Sequence, residues 1–517
     1  MSKLFCFIIF IPLILVVLNS YQYSDYWNHI KEFLLFKYTF STLILVIGVG
    51  ILSLIFGVGA AWIVSVYEFY GRKVIQWLLI IPLTIPTYII AYSYYDILDY
   101  FSPIFIWVRE NYGSNFLILI DSLVIYSVVI SLFTFVLYPY VYLSTKASLS
   151  IQCNRLIEAA YTLKFSPFET FFKVMLPVLK PAIIAGLSLV IMETLNDYGA
   201  VEYFGISTLT IGIFRSWFGM NDLTGAIKIS TFLLSFVFLF LILERILRGN
   251  ERYNNKTGTR FRLNRISLSK KKTALVWIFC CTPIIFGFVI PFTRLISWAF
   301  YVNLDSSNLD IIGSTLNTVL LSIISAFLIT FFAFFINFTK NFYNNQFLKK
   351  LGFLTILGYS MPGAIIAIGI LNFDRLLSNL PLMTLTGTIF GLTFAYIIRF
   401  LAVAWQPLEA SMEKQCLTIN QAARLMKRRI GYSIFKINIP ILKKPILLSV
   451  LLVFIDITKE LPLTLILRPF NFDTLSTLTY DLIKQANFFQ SSLSSLLIIL
   501  ISFPALLAIS KQVNEPQ

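Results

Sequence analysis

A single histidine, His29, and only five cysteines, Cys6, Cys153, Cys280, Cys281 and Cys416, are spread over 517 residues. A resident transition-metal centre needs several thiolate or imidazole ligands brought together, so no metal site is expected. A disulfide framework is not expected either. The lone His29 offers no triad or metal-activated water, which leaves no catalytic residues to name. The phosphate-cradling pattern G-x-x-x-x-G-K-[ST] is absent, so the chain does not hydrolyse ATP by that route. Charge is scarce: 13% of residues are charged, about half of what a soluble domain carries. Acidic side chains are scarcer still, 25 against 41 basic ones.

What fills the space is apolar. Hydrophobic residues make up 58% of the chain and mean hydropathy is +0.81. A helix needs roughly 20 apolar residues to cross the hydrocarbon. Runs of that kind lie near 4–20, 40–65, 75–97, 117–143, 182–199, 229–247, 274–300, 311–337, 351–371, 383–405, 446–464 and 489–510. The fold class is an all-α polytopic membrane protein with about twelve transmembrane helices. Residues 4–18 lack a small-x-small cleavage pattern after them and are expected to stay as the first helix.

The net charge of +16 would suggest nucleic acid in a soluble protein, but here the basic residues concentrate in alternate loops, on the side that bears the N-terminus. The positive-inside rule then places both termini in the cytoplasm. The densest cluster, from Arg245 to Lys272, reads as a basic cytoplasmic linker at 245–272 between a first half (1–244) and a second half (273–517). Its simplest role is a topology signal with affinity for the anionic head groups of the bilayer. No nucleic-acid partner is expected.

Two loops carry the same device. Glu158, Ala159 and Ala160 lead through Lys164 to Pro177; Gln421, Ala422 and Ala423 lead through Lys427 to Pro440, with the same spacing of nineteen residues from first residue to proline. In the first copy Ser166 and Pro167 have the chemistry of a cap and first residue of a short second helix. A second landmark pair, Pro86 and Pro362, begins matching Ile-Ile-Ala segments. Two parallel repeats of six helices follow, related by an axis along the membrane normal. Small side chains on a helix outside the membrane suit docking into a groove of another protein.

Beyond each loop the next span ends in carboxylates: Glu193 and Asp197 in the first half, Asp456 and Glu460 in the second. Their i, i+4 spacing predicts one helical face for each pair. Carboxylates at membrane depth usually face a polar cavity, which makes the four candidates for a translocation pathway. Capping of helix ends and local pairing with Lys459 are the competing readings.

The two loops resemble the EAA loops of permease subunits of ATP-binding-cassette importers, with Lys164 and Lys427 where that family has glycine and Gln421 in place of the second glutamate. The segments Asp197–Gly205, Gly212–Phe218 and Lys459–Thr464 followed by Arg468–Thr474 are similar to those of the fused permeases for ferric iron. The resemblance implies a type I importer architecture in the bacterial inner membrane. It also implies two copies of a cytoplasmic ATPase subunit that bind ATP and Mg, and a periplasmic substrate-binding protein, with no cofactor on this chain. Fused permeases for thiamine, for another small solute or for an anion such as sulfate are the alternatives within the class. An ion-coupled secondary transporter is the alternative outside it.

Overall fold

The structure is a computed structural model. It describes residues 2–152, 154–248, 265–302, 310–343, 358–359, 361–377, 384–412, 419–420 and 430–514. Among these residues the chain is helical almost throughout, and its strands are one two-residue pair. This follows from the composition: backbone groups in hydrocarbon have no water to bond, and a helix satisfies them within one segment.

Among the described residues eight helices are long and apolar enough to cross a membrane, including Trp27–Val66, Ser114–Leu149, Ile311–Phe342 and Phe488–Ile509. The expected span at 75–97 is not a straight helix. It is two helices, Arg72–Thr84 and Thr87–Leu98, bent by 90°. Pro86, which lacks an N–H and restricts the residue before it, sits at the corner, and Ile85 there is extended at φ −96°, ψ 124°. Counted as one broken span, the pair brings the number to nine.

The remaining expected spans meet shorter or more charged helices. Ser2–Asn19 takes in all but the last residue of 4–20. Of 351–371, residues 351–357 lie outside the described part, and Gly363–Leu377 is 15 residues long, about 22 Å. The run 446–464 is split between Ile439–Thr458 and Pro462–Leu467.

The chain packs as two compact units. One comprises Phe33–Ile211 and Leu233–Arg294; the other comprises Met1–Glu32, Gly212–Phe232 and Leu295–Gln517. These units group helices by packing, whereas 1–244, 245–272 and 273–517 divide them by order along the sequence. In the first unit, helices Leu35–Val66, Ser114–Gln152 and Leu176–Asn196 pack on one another. A Cβ on Gly57 would stand 2.6 Å from Val141 Cβ, and one on Gly186 would stand 2.8 Å from Val141 Cα. Two glycines therefore bring two helices onto the same turn of a third, the close approach that small residues permit in membranes. The end of the basic linker joins this unit: Tyr67 and Glu68 pair in parallel with Ile266 and Ser267, and Arg265 lies 3.4 Å from Glu68. Linker residues 249–264 lie outside the described part.

In the second unit Ile311–Tyr343, Ile389–Ser411, Ile439–Thr458 and Phe488–Asn514 pack together, and Ser2–Asn19 lies along Gly363–Leu377. Gly369 admits the carbonyl of Pro12, which a Cβ would approach to 2.6 Å.

Local structure recurs along the chain. A short helix at Pro167–Glu169, a π turn at Thr170–Met175 and a helix from Leu176 to Asn196 are followed 263 residues later by a helix at Ile430–Tyr432, a π turn at Ser433–Asn438 and a helix from Ile439 to Thr458.

The crowding around Val141 makes Gly186→Val an overpacking substitution, expected to cost ~1–3 kcal/mol. Thermal unfolding of the detergent-solubilised protein should show a lowered midpoint, and an unchanged midpoint would contradict the packing described.

Candidate functional site

The first loop is built by helix Asn154–Thr162. It ends with Phe165 N–H donating to the Ala160 carbonyl and Lys164 N–H donating to that of Tyr161, both at 3.0 Å. These are the paired bonds of a Schellman ending, which requires one left-handed residue. Lys164 supplies it, at φ +62°. The position that is glycine in the EAA loops thus keeps the glycine conformation with a lysine in it, at a steric cost of about 1 kcal/mol.

The chain then turns into the second short helix as expected. Ser166 caps it, with Glu169 N–H donating to Ser166 Oγ at 3.2 Å and Ser166 N–H donating to Glu169 Oε2 at 3.1 Å. Pro167 is its first residue. Lys173, 2.9 Å from Glu169, and the Ser166 bonds hold the Glu169 carboxyl down to about 2. The capping box therefore stays charged across the physiological range.

The two alanines, grouped together from sequence, do different jobs. Ala160 is 2% exposed and lies inside the helix–turn–helix. Glu158 and Ala159 are exposed. Around them the loop presents apolar side chains that the sequence reading passed over: Leu163, Phe168 and Phe172 are 71%, 72% and 48% exposed, with the two phenylalanine rings 4.5 Å apart. Pro177 starts the following helix.

Of the second loop, Gln421, Ala422, Ala423 and Lys427 lie outside the described residues. The flanking parts are described. Pro440 again stands in the first turn of the following helix, and Phe435, the counterpart of Phe172 (435 − 172 = 263), is 69% exposed. Asn420 and Asn438 are buried and exchange amide hydrogen bonds of 3.1 and 2.9 Å, while Asn438 Nδ2 also donates to the Ser433 carbonyl at 2.7 Å. The counterparts in the first loop are Ile157 and Met175, both fully buried. One fastening is apolar and the other is a reciprocal amide pair.

The carboxylates do not form the helical faces that their spacing predicted. Helix Leu176–Asn196 stops before Asp197, which is extended at φ −64°, ψ 132°. Helix Ile439–Thr458 stops before Glu460. Each of these two residues caps the next helix instead. Asp197 Oδ1 accepts from Ala200 and Val201 N–H at 3.0 and 3.3 Å, and Glu460 Oε1 accepts from Leu463 N–H at 3.1 Å. Asp197 is further held by the Thr87 hydroxyl. Glu460 is held by Arg399 Nη1 at 3.1 Å, in a pair whose side chains are 3% and 4% exposed. A Cβ at Gly363 would stand 2.4 Å from that guanidinium, so this glycine makes room for the pair. Asp456 lies 3.6 Å from Lys459, the local pairing weighed from sequence. Glu193 remains on the last turn of its helix, partly exposed.

Residues 53–252 match the family of binding-protein-dependent transport system inner membrane components. The sulfate transport system permease protein CysT of Salmonella typhimurium is 30% identical over 204 residues, 38% of this chain and 70% of the relative. The chain belongs to this family. The Fe(3+)-transport system permease protein FbpB 2 of Haemophilus influenzae is 24% identical over 468 residues, 89% of this chain and 87% of the relative. The ferric transport system permease protein FbpB of Actinobacillus pleuropneumoniae is 25% identical over 314 residues, 57% and 45% of the two chains. No solved structure matches. The relatives are transport permease components and not enzymes. Membership makes this chain an inner membrane permease component, which works with a binding protein and an ATPase.

Two fastenings of the permease loops are open to test. Lys164→Gly should keep the Schellman ending, whereas Lys164→Val forces a β-branched residue to positive φ and should cost ~1–3 kcal/mol; equal unfolding midpoints for the two variants would refute this. Asn438→Met strands a buried amide on Asn420, a loss of ~1–3 kcal/mol. Adding Asn420→Ile copies the apolar pair of the first loop and should recover most of it, and a double variant no more stable than the single one would show that the amides do not work as a pair.

Proposed function

We propose that this chain is the fused permease of an ATP-driven importer that moves ferric iron, delivered by a periplasmic binding protein, into the cytoplasm. In this reading two parallel repeats of six helices, twelve in all, span the membrane with both termini in the cytoplasm. One ATPase subunit seats on each loop, so two copies bind. The observation that carries the reading is the recurrence of one helix, π turn and helix at 167–196 and 430–458, each copy presenting an exposed phenylalanine, Phe172 and Phe435. Apolar side chains held outward on a rigid, capped turn are the usual anchors of a protein interface. The capped turn transmits force because it cannot deform without breaking the Ser166–Glu169 box or the Asn420–Asn438 pair.

Ferric iron is supported by length. The Haemophilus influenzae ferric permease matches over 89% of this chain, while the sulfate permease of Salmonella typhimurium matches over 38%. Sulfate stays as a second reading because that shorter match has the higher identity, 30% against 24%. Asp197 and Glu460 serve as helix caps, so a cation pathway would rest on Glu193 and Asp456.

Ala159→Arg with Phe172→Asp and Phe435→Asp should reduce co-purification of the ATPase subunit by about tenfold or more at normal membrane levels of the permease. Full assembly of this triple variant would remove the docking role. For the substrate, a deletion strain complemented with the chain should regain growth on limiting ferric iron; rescue on limiting sulfate alone would decide for the other reading.

A further inference from the structure

The two matched stretches differ in length at one place. Leu209 N–H donates to Thr42 Oγ1 at 3.1 Å, and Leu475 N–H donates to Thr318 Oγ1 at 2.7 Å. Each leucine begins a helix, so the two are counterparts, 266 residues apart (475 − 209). The capping carboxylates upstream, Asp197 and Glu460, are 263 apart (460 − 197). Three additional residues therefore lie between Glu460 and Leu475. In the first stretch the connection is covered: Ile206, Ser207 and Thr208 are 4%, 7% and 5% exposed. In the second it protrudes, and Phe470 is 93% exposed, the highest value of any large hydrophobic side chain among the described residues.

This protrusion is not a loose tail. Phe472 N–H donates to the Pro469 carbonyl at 3.2 Å, closing a β-turn whose third residue, Asn471, takes φ +56°. Asparagine is among the residues that tolerate that conformation. Phe470 is the second residue of the turn. Arg468 fastens the base: its guanidinium pairs with Asp473 and, at 3.0 Å, with Asp481. Asn317 Nδ2 donates to the Asp473 carbonyl at 3.1 Å, and Thr474 caps the helix that follows. Both ends of a four-residue turn are thus fixed, and one aromatic ring is left out. Fixing the backbone that carries an exposed apolar side chain removes part of the ordering cost of binding before a partner arrives.

We propose that the turn Pro469–Phe472 is a docking finger for the solute-binding protein, with the Phe470 ring entering an apolar recess on that protein. This rests on the functional reading above, which places the connection between the fifth and sixth spans of the second half on the external side. A soluble partner fits better than lipid. The ring stands on a base of three charged side chains, and charges of that density belong in water and not among acyl chains. The family's own description names a binding protein, and the functional reading above puts that protein on the external side. The first stretch lacks the extra residues, so the contact belongs to one half only, as expected for a single partner bound across a pair of unequal halves.

The test uses the full permease–ATPase complex in nanodiscs, titrated with the loaded binding protein that stimulates ATP hydrolysis by the wild-type complex. Phe470→Ala should raise the concentration giving half-maximal stimulation by about tenfold or more, while hydrolysis without binding protein and co-purification of the ATPase stay at wild-type levels. An unshifted titration overturns the proposal and leaves the functional reading in place. Absence of stimulation in the wild-type complex overturns both. As a second measurement, Phe470→Trp should be protected from aqueous quenchers by the binding protein and not be quenched by brominated lipid; quenching by the lipid would assign the ring to the membrane surface and sink the proposal.

Discussion

An interruption in a membrane helix must be repaired on the spot, because hydrocarbon offers no water to the backbone groups that an interruption frees. Most of what is distinctive in this permease follows from that constraint. The helices Leu176–Asn196 and Ile439–Thr458 both stop short, and each gap is closed by a carboxylate that turns to the N–H groups of the next short helix. A carboxylate used in this way must itself be balanced. In one stretch the balance is the Thr87 hydroxyl, in the other the guanidinium of Arg399. Breaking a buried ion pair of the second kind costs ~3–5 kcal/mol, so the geometry there is strongly determined. Pro86 and Pro362, which start the helices supplying Thr87 and Gly363, are tied to the same two places.

The general architecture was legible in the sequence because its signals are local or counted. Long apolar runs mark most spans, and identical spacing from Glu158 to Pro177 and from Gln421 to Pro440 marks the loops. The capping box at Ser166–Glu169 follows from residue type alone. The left-handed turn at Lys164 was not legible in this way, because lysine is an unexpected residue for it. Its Schellman bonds depend on the backbone and not on the side chain.

What was not legible depends on where helices stop and on what they touch. An i, i+4 spacing defines a face only while the helix continues, and Asp197 and Glu460 lie just past the ends. The hints were present as Gly199 and as Leu461-Pro462, residues that end helices or begin new ones. Ala159 and Ala160 look alike in sequence, but only Ala160 is buried. Likewise a run such as 75–97 has the composition of a span whether or not its prolines fold it to 90°.

The recurring local frames in this permease carry different polar fillings, and this argues against their being interchangeable. Besides the contrast between Ile157 with Met175 and Asn420 with Asn438, a third instance lies near the loop-side ends of helices Ser114–Gln152 and Ile389–Ser411. Lys340 pairs with Glu409 beside the Trp405 ring. The positions 263 residues earlier hold Lys146 and Tyr142: a lysine stands where the carboxylate would be, its ammonium lying over the Tyr142 ring at 5.4 Å with no hydrogen-bond partner among the described residues. A buried ammonium without a counter-ion is costly, whereas a paired one is locked in place. The two frames therefore differ in how firmly they are held although their helices follow one plan.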